Sequence, residues 1–504
     1  MIENTLSTQR NDQPLKVHTL SLLVPARRYE ANFDVTAQQA LPAIIECALM
    51  LIAQLDKISA GELQDYFGLN SNEREGLLKE ILETGLAEED RDGLLVPSRR
   101  LREARSNQQG ISLEEIVNYN QSFVVDHLTR SIQPRADDKP LRGLPTLEVS
   151  QDKEQADPAS LFTSQFDRFQ QSTTVDKLKR FNTKLYRINH CNYLQLTYLP
   201  VSLDVYASSD PLTGLRLKSE LIGFPEQVRG LLTTSGLHGE VNKYLDIPIG
   251  ATPQLDFLEY IKAVDDPLLP TYIDEGNLDL GKLLRDKKQR KISYENNMTI
   301  MLVGPLYLDS NRGRLMQWLS HIKSNARLAK AIWLPASTPT WGAHVGLKQF
   351  INICNKTLAS YGSSLEFLVP VRDKHERFNV NDKFGASISR IIGLPKAPDL
   401  NEMEIFVIPG DPGWALVQYH ARLPESCGMS GLTLPVGYCT CDPSKVELIW
   451  SLLKERLGND LQNVSAINGD QEGESALSKL LDSDWDTIKA YYNTEVQEPA
   501  EVSK

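Results

Sequence analysis

The sequence lacks any apolar run long enough to cross a bilayer. The longest run, LPAIIECALMLIA at residues 41–53, is shorter than the ~20 residues that a spanning helix needs, and Glu46 interrupts it. The N-terminus, MIENTLSTQRNDQPLK, has no apolar segment followed by a cleavage site, as a secretory signal would have. We therefore expect a cytoplasmic protein that does not act in a membrane.

Cysteine is also scarce, with six residues in a chain of 504. So few thiols do not make a disulfide framework, and a reducing compartment is the simpler assumption. Cys439 and Cys441 are separated by one residue, and His190 is followed directly by Cys191. Because neither spacing matches the two-residue gaps of common zinc sites, the sequence predicts isolated buried thiols, with no metal and no other cofactor.

Positive charge is in deficit, since 54 Lys plus Arg oppose 66 Asp plus Glu and the net charge is −12. This balance excludes a protein that wraps long nucleic acid over its whole surface. The negative charge is distributed unevenly along the chain. Residues 459–504 hold ten acidic residues against three lysines and so contribute −7 of the net charge of −12. We interpret this segment as an acidic tail, solvated or used for docking, and the rest of the chain can still carry a local basic surface.

Residues 35–105 form the first persuasive folding unit. Three segments have apolar residues at helical spacing. The second begins at Ser59, where Glu62 three residues on completes a capping box, and the third is expected to begin at Ser71. A glycine ends the third helix, and an Asp-Gly turn precedes a short apolar run. Three helices followed by a turn-marked ribbon resemble a winged helix-turn-helix domain.

Winged helix domains often place their third helix in the DNA major groove. Here that helix carries four glutamates against one arginine and one lysine, so phosphate repulsion argues against sequence-specific reading by it. Better candidates for DNA contact follow the ribbon: Arg99, Arg100, Arg102 and Arg105. The alternative interpretation of these arginines is a solvated basic helix end.

The middle of the chain has mixed patterns. SLEEIVNYNQSFVVDHLTR, within residues 106–164, is expected to be a helix followed by a polar linker. Residues 165–280 indicate an α+β region, in which YLQLTYLPVSLDVYAS alternates like a strand or hairpin. A basic linker at 281–296 follows, and its cations either attract nucleic-acid phosphate or form a solvated face; the candidates are Lys287, Lys288, Arg290 and Lys291.

From residue 297 onward strands alternate with helices at regular spacing, which predicts a sheet covered by helices. Catalytic groups in such sheets gather at strand ends. The segment RDKHERFNVND, residues 372–382, directly follows the predicted strand SSLEFLVPV. We expect His375 and Arg377 to project to one side of an extended segment, and Asp382 to lie on the turn that follows.

The spacing of His375, Arg377 and Asp382 resembles the H-x-K-x4-D motif of the phospholipase D-like superfamily, with arginine in place of lysine. The order of elements over residues 297–458 is also similar to one repeat of that fold. The resemblance implies His375 as the nucleophile that forms a phosphohistidine, Arg377 as the phosphate clamp and Asp382 as a polar support, with no metal. Family members combine two motifs, so this chain, with one copy, would have to act as a homodimer if it is catalytic.

These patterns predict a multidomain protein of α/β and α+β class. The predicted division is an N-terminal extension (1–34), a winged helix-turn-helix domain (35–105), a helix and linker (106–164), an α+β middle region (165–280), a basic linker (281–296), a C-terminal phospholipase D-like βα sandwich (297–458) and an acidic tail (459–504). The resemblance implies a phosphodiesterase or nuclease that acts on or binds nucleic acid, in a bacterial restriction or anti-phage defence system with partner proteins. The alternative is a non-catalytic subunit that binds DNA or protein through the same domains.

Overall fold

The computed structural model describes residues 14–106, 112–133, 143–149, 157–179, 183–210, 214–246, 256–288, 298–371, 374–385, 388, 390–394, 402–423, 425–429, 431–457, 465–468 and 479–492. The helices are α1 (Ala43–Leu55), α2 (Ala60–Phe67), α3 (Ser71–Glu83), α4 (Arg99–Ser106), α5 (Pro158–Ser164), α6 (Phe166–Ser172), α7 (Glu226–Thr234), α8 (Leu237–Leu245), α9 (Phe257–Val264), α10 (Leu280–Lys288), α11 (Asp309–His321), α12 (Gly346–Ser360), α13 (Lys374–Phe384), α14 (Pro443–Leu457) and α15 (Trp485–Tyr492). Among these described residues, no helix combines the length and apolarity that crossing a membrane requires.

The strands are β1 (Leu15–Ala40), β2 (Ile58–Ser59), β3 (Ala87–Glu89), β4 (Leu94–Pro97), β5 (Ser112–Asp126), β6 (Ile132–Gln133), β7 (Thr183–Asp210), β8 (Gly214–Ile222), β9 (Ile273–Asp274), β10 (Asn277–Leu278), β11 (Thr299–Val303), β12 (Ala331–Leu334), β13 (Leu365–Pro370), β14 (Ile391–Leu394), β15 (Met403–Ile408), β16 (Trp414–Arg422), β17 (Thr433–Thr440) and β18 (Ser465–Asn468). They form four sheets, and the chain is therefore of mixed α and β class, as expected.

One sheet is antiparallel, with the strand order β6-β5-β1-β7-β8. Its centre is β1, which the sequence assigned in large part to an extension ending at residue 34. The first half of β1 is buried because it lies in the same apolar core as the C-terminal sheet. The second half pairs with β5 and β7, and its apolar side is covered by the phenylalanines of α5 and α6.

The predicted helix at residues 112–130 is wrong, because residues 112–126 form strand β5. The segment satisfies period 2 as well as helical spacing, since Val117, Tyr119, Phe123 and Val125 all lie at odd-numbered positions. Their side chains share one face of the sheet and pack against the core beneath α5 and α6. Pairing with β1 from Ala40 to Ala26 selects the strand. Long-range pairing of this kind overrides local propensity.

Residues 43–106, which we call the helical unit, are inserted between β1 and β5. The three predicted helices and the ribbon are present, and a short strand, β2, pairs with the ribbon in the order β2-β4-β3. Ser59 and Glu62 form the predicted capping box at α2. The cap of α3 is one residue earlier than expected: Asn70 takes that role, and its side chain accepts from two backbone N–H groups.

The C-terminal sheet has eight strands in the order β11-β17-β16-β15-β12-β13-β14-β18. Helices α11, α12 and α13 cover one face through an aromatic core around Trp333. Helices α9 and α14, with the first half of β1, cover the other face. Every strand and helix that the sequence predicted from 297 to 458 is found, although α13 was expected to be extended.

The acidic tail is in part a component of the fold. Strand β18 pairs with β14 at the edge of the eight-stranded sheet. Further along, Leu480, Leu481 and Ile488 are buried in the core that contains α14. The interpretation of residues 459–504 as a solvated segment is therefore wrong for these parts, because a few apolar residues among the acids are sufficient to hold a segment against a core.

Candidate functional site

The predicted phosphodiesterase motif lies on a helix and not on an extended segment. Residues 374–384 form α13, with His375, Arg377 and Asp382 all exposed to solvent. Residues two apart on a helix do not face each other, whereas residues seven apart do. His375 and Asp382 therefore share one side of α13, and Arg377 points to another. The motif requires the histidine and the cation to contact the same phosphate, and the helix places His375 and Arg377 on different sides.

The arginines predicted as DNA contacts lie on the helix that follows the ribbon. Arg99, Arg100 and Arg102 are exposed on α4, directly after strand β4, and the buried Leu101 between them anchors the helix. Arg99 donates from Nε to Oε1 of Glu103 at 2.8 Å. The side chain of Arg105 lies outside the described residues. These arginines form a small basic surface at the end of the helical unit.

The described part of the basic segment, residues 281–288, belongs to a packed helix. In α10, Leu280, Leu283 and Leu284 are buried, and Lys287 follows at the i+7 position on that same side. Its Nζ donates to the carbonyl of Met301 at 3.1 Å, and burial lowers the pKa of Lys287 to about 8. Lys288 is half-buried. This placement argues against the prediction that Lys287 contacts nucleic acid, and Arg290 and Lys291 lie outside the described residues.

The eight-stranded sheet has one edge at which ligands commonly bind in folds of this class. Strands β12, β13 and β14 are parallel. Strands β16 and β11 run in the same direction, because two antiparallel steps separate β12 from β16 and two more separate β16 from β11. Their carboxyl ends meet at one side of the sheet, which we call the carboxyl edge. Open α/β sheets hold their ligands outside such an edge.

A buried polar network occupies the carboxyl edge. The carboxyl group of Glu404, at the start of β15, is fully buried. Its Oε1 accepts from Nε1 of Trp333 at 2.7 Å, and its Oε2 lies 2.8 Å from Nε2 of His420. On the same side of β16, Gln418 donates from Nε2 to the carbonyl of Gly304 at 2.9 Å. The sheet thus presents a carboxyl, an imidazole and an amide where a ligand would lie.

Two further buried histidines lie near His420, and we call His18, His344 and His420 the histidine cluster. Burial, followed by the charges of His344 and His420, lowers the pKa of His18 to about 3. Burial and the charge of Lys16 lower the pKa of His344 to about 4. Nδ1 of His344 accepts from the N–H of Gly346 at 2.8 Å. Both rings are therefore neutral near pH 7.

Strand β1 closes the carboxyl edge. Its Ser21 donates from the backbone N–H to the carbonyl of Ala343 at 2.8 Å, and Oγ of Ser21 accepts from the N–H of Val345 at 3.2 Å. At Gly304, where φ is +85°, an added Cβ would lie 2.4 Å from the carbonyl oxygen of Val17. The first half of β1 is thus in backbone contact with two loops of this edge. The side chains of Glu404, Gln418 and His420 are closed to solvent.

Sequence patterns did not identify this network. The spacing of His344, Glu404 and His420 in the sequence matches no motif. The available signal was a glutamate in MEIFVIPG, an otherwise apolar segment predicted to be a buried strand. A carboxyl group in such a strand requires hydrogen-bond partners. Within the described residues, no three His, Cys, Asp or Glu side chains are arranged to hold a metal ion.

Comparisons with known proteins give little further information. No protein-family model matches the chain, and no curated protein matches it. A solved structure of TrmBL2, an archaeal chromatin protein with a novel mode of DNA binding, is similar over 52% of this chain and 77% of its own. The identity is 10% and the TM-score is 0.20, and a similarity of this size defines neither fold nor function.

Proposed function

We propose that this chain is a non-catalytic DNA-binding subunit that contacts DNA through its helical unit. The observation that supports this proposal is the order of elements in that unit. Helix α1, strand β2, helices α2 and α3, and then the ribbon β3–β4 follow one another, and the sheet order is β2-β4-β3. This order matches a winged helix-turn-helix domain, in which the ribbon is the wing.

The contact to DNA would be made by phosphate attraction. Arg99, Arg100 and Arg102 are exposed directly after the wing, and neither Arg100 nor Arg102 forms an ion pair with the residues that the structure describes. Helix α3 is a poor reader of bases because its exposed glutamates repel phosphate; they are Glu73, Glu75, Glu80 and Glu83. Binding that depends on phosphate contacts is salt-dependent and largely independent of sequence.

The closed carboxyl edge supports a role without catalysis. The network around Glu404 is buried beneath β1, and the motif at His375 lies on a helix that turns Arg377 away from the histidine. The phosphodiesterase interpretation, with His375, Arg377 and Asp382 as its residues, rests on the position of α13 after β13, and it stays a prediction. Metal-independent cleavage of DNA or RNA in EDTA, abolished by His375→Ala, would revive it.

The DNA-binding proposal is tested by fluorescence anisotropy with a labelled duplex over a range of salt concentrations. The variant Arg99→Ala/Arg100→Ala/Arg102→Ala should bind more weakly, and the slope of log K against log salt should fall by about 0.9 for each phosphate that the variant no longer binds. The control removes three exposed cations outside the helical unit: Arg216→Ala/Arg229→Ala/Lys262→Ala. Equal affinity and equal slope in the two variants would contradict the proposal.

A further inference from the structure

Residues 310–365 contain no aspartate and no glutamate, although they hold seven lysines and arginines. At the average frequency of the chain, 66 acids in 504 residues, a segment of this length would hold about seven acids. The segment contributes +7 to a chain whose net charge is −12, and it comprises most of α11, strand β12 and helix α12. Negative charge is therefore absent from one continuous part of this acidic protein.

The cations of this segment lie on one side of the C-terminal sheet. Helices α11 and α12 cover the same face of that sheet, and the hydroxyl of Tyr361 donates to the carbonyl of Leu319 at 2.8 Å, which ties the end of α12 to the end of α11. The exposed sides of the two helices are directed away from the sheet. The exposed cations on these helices and on the connection between them, which we call the basic face, are Arg314, Lys323, Arg327, Lys348 and Lys356.

The acids on either side of the segment do not neutralise the basic face. Asp309 lies 3.3 Å from Arg312, which is not part of that face. The buried carboxyl group of Glu366 lies 2.9 Å from Nζ of Lys330 and 3.1 Å from Nη1 of Arg390. Among the residues that the structure describes, no acid forms an ion pair with a cation of the basic face. Its charge is therefore available to attract an anionic partner.

The exposed side of α12 lines a shallow groove of about 420 Å³. Lys348 and Lys356 are eight residues apart, which is about 12 Å along the helix, and Gln349 and Asn352 lie between them in the lining. Each of these four side chains can donate hydrogen bonds, and none carries negative charge. A row of donors and cations fits a ligand whose oxygens only accept, as those of a phosphate backbone do.

We propose that the basic face binds the phosphate backbone of duplex DNA, as a contact surface separate from the arginines of α4. The identity of the polyanion rests on the proposed function. Phosphates follow each strand of the duplex at 3.4 Å along its axis, so the roughly 12 Å between Lys348 and Lys356 correspond to three or four phosphates. Contacts of this kind hold DNA without reading its sequence.

An acidic protein segment fits the groove less well than DNA. A bound peptide derives most of its affinity from apolar side chains that fill desolvated pockets. The apolar residues of the groove, Val345 and Ile353, are each 41% exposed and do not form such a pocket. The charge of the groove is complementary to an acidic peptide, but its apolar surface is too small to hold one.

Acetylation of lysine side chains, followed by mass spectrometry, tests the contact directly. Duplex DNA should slow the acetylation of Lys348 and Lys356 several-fold at physiological salt. Lys262 is the control, because it is exposed on α9, which covers the opposite face of the sheet, and its rate should not change. Polyglutamate at the same concentration of negative charge should protect Lys348 and Lys356 much less than DNA does.

Substitutions at exposed positions give an independent readout by fluorescence anisotropy. The basic-face variant, Arg327→Gln/Lys348→Gln/Lys356→Gln, should bind the duplex about tenfold more weakly, and the slope of log K against log salt should fall by about 0.9 for each lost phosphate contact. Lys348→Arg/Lys356→Arg keeps the charge and should bind as the native protein does. The matched control is Arg216→Gln/Arg229→Gln/Lys262→Gln, and circular dichroism checks that all variants fold.

The outcomes separate this inference from the proposed function. Acetylation of Lys348 and Lys356 that DNA does not slow, equal protection by DNA and polyglutamate, or equal affinity of the basic-face variant and its control would overturn the inference. If the α4 variant binds DNA normally and the basic-face variant does not, the proposed function fails and this inference stands. The reverse result would refute this inference alone.

Discussion

The polar side chains at the carboxyl edge of the eight-stranded sheet are buried, whereas those of the helical unit are exposed. At the edge, Glu404 and His420 are buried and bonded to each other, and β1 covers them. In the helical unit, Arg99, Arg100 and Arg102 are exposed, and α1 presents apolar side chains to solvent. Buried, partnered groups hold a fold together, whereas exposed ones are available to a partner. Under the proposed function, the edge contributes stability and the helical unit contributes recognition.

The largest effect is expected from removing the carboxyl group at the edge. Glu404→Ala leaves Nε1 of Trp333 and Nε2 of His420 buried without a partner, which should lower the free energy of unfolding by about 3–5 kcal/mol. Chemical denaturation measures the change. Glu447→Ala, an exposed glutamate on α14, is the control and should change little. A loss below about 1 kcal/mol for Glu404→Ala would mean that the network does not support the fold.

Acid should destabilise the protein through the histidine cluster. The pKa values of His18 and His344 are lowered from 6.5 to about 3 and about 4, so the unfolded chain takes up protons that the folded chain does not. The stabilisation is present above pH 6.5 and is lost as the pH falls towards 4. From pH 6.5 to 5 the two residues together account for about 3 kcal/mol.

The measurement is the free energy of unfolding from pH 8 to pH 5 in His18→Gln and His344→Gln. Each variant should lose about half of the slope below pH 6.5 that these two histidines provide. His190→Gln, at an exposed histidine on β7, is the control and should retain the slope. A pH profile that neither buried substitution alters would show that His18 and His344 are not held neutral in the folded protein.

A smaller effect should follow from a methyl group placed between β1 and the edge. Gly304→Ala puts a Cβ 2.4 Å from the carbonyl oxygen of Val17, at a residue whose φ is +85°. We expect a loss of about 2–3 kcal/mol and faster hydrogen exchange at the N–H of Ser21, which joins β1 to the other loop of this edge through the carbonyl of Ala343. Gly428→Ala has a φ of +91° and open space around its Cβ, so it measures backbone strain alone. Equal losses in the two variants would show that β1 does not pack closely on this loop.

The smallest effect concerns the start of α3. Asn70→Ala removes a side chain that caps two backbone N–H groups and should cost about 1 kcal/mol, whereas Ser71→Ala should cost close to nothing. Thermal unfolding of the two variants measures the difference. A larger loss for Ser71→Ala would place the cap where the sequence pattern alone had placed it.

The sequence predicted correctly those elements that depend on interactions between residues close together in the chain. The capping box of Ser59 and Glu62, and the strand and helix spacing between residues 297 and 458, are satisfied within a few residues of the chain. β5 was predicted as a helix because its pairing with β1 joins residues 72–100 positions apart. Lys287 was predicted to be exposed from the number of charges in its segment. That number does not show that Lys287 lies on the same side of α10 as the buried leucines.

The candidate site was predictable only in part, for the same reason. The three arginines of α4 follow the ribbon β3–β4, whose pattern is local, so their place could be read from the sequence. The histidine cluster joins β1 to residues more than 300 positions away, and no spacing rule connects them. The motif at His375 has the right spacing but a helical backbone, and spacing alone does not tell a strand from a helix.

The most direct test of the contrast between the two regions is hydrogen exchange with and without duplex DNA. We predict slower exchange at β4 and α4, around Arg99, and no change at α13 or at the loop that contains Ala343. Protection of α13, around His375, with none in the helical unit would contradict the account, because it would place recognition at the edge that β1 closes.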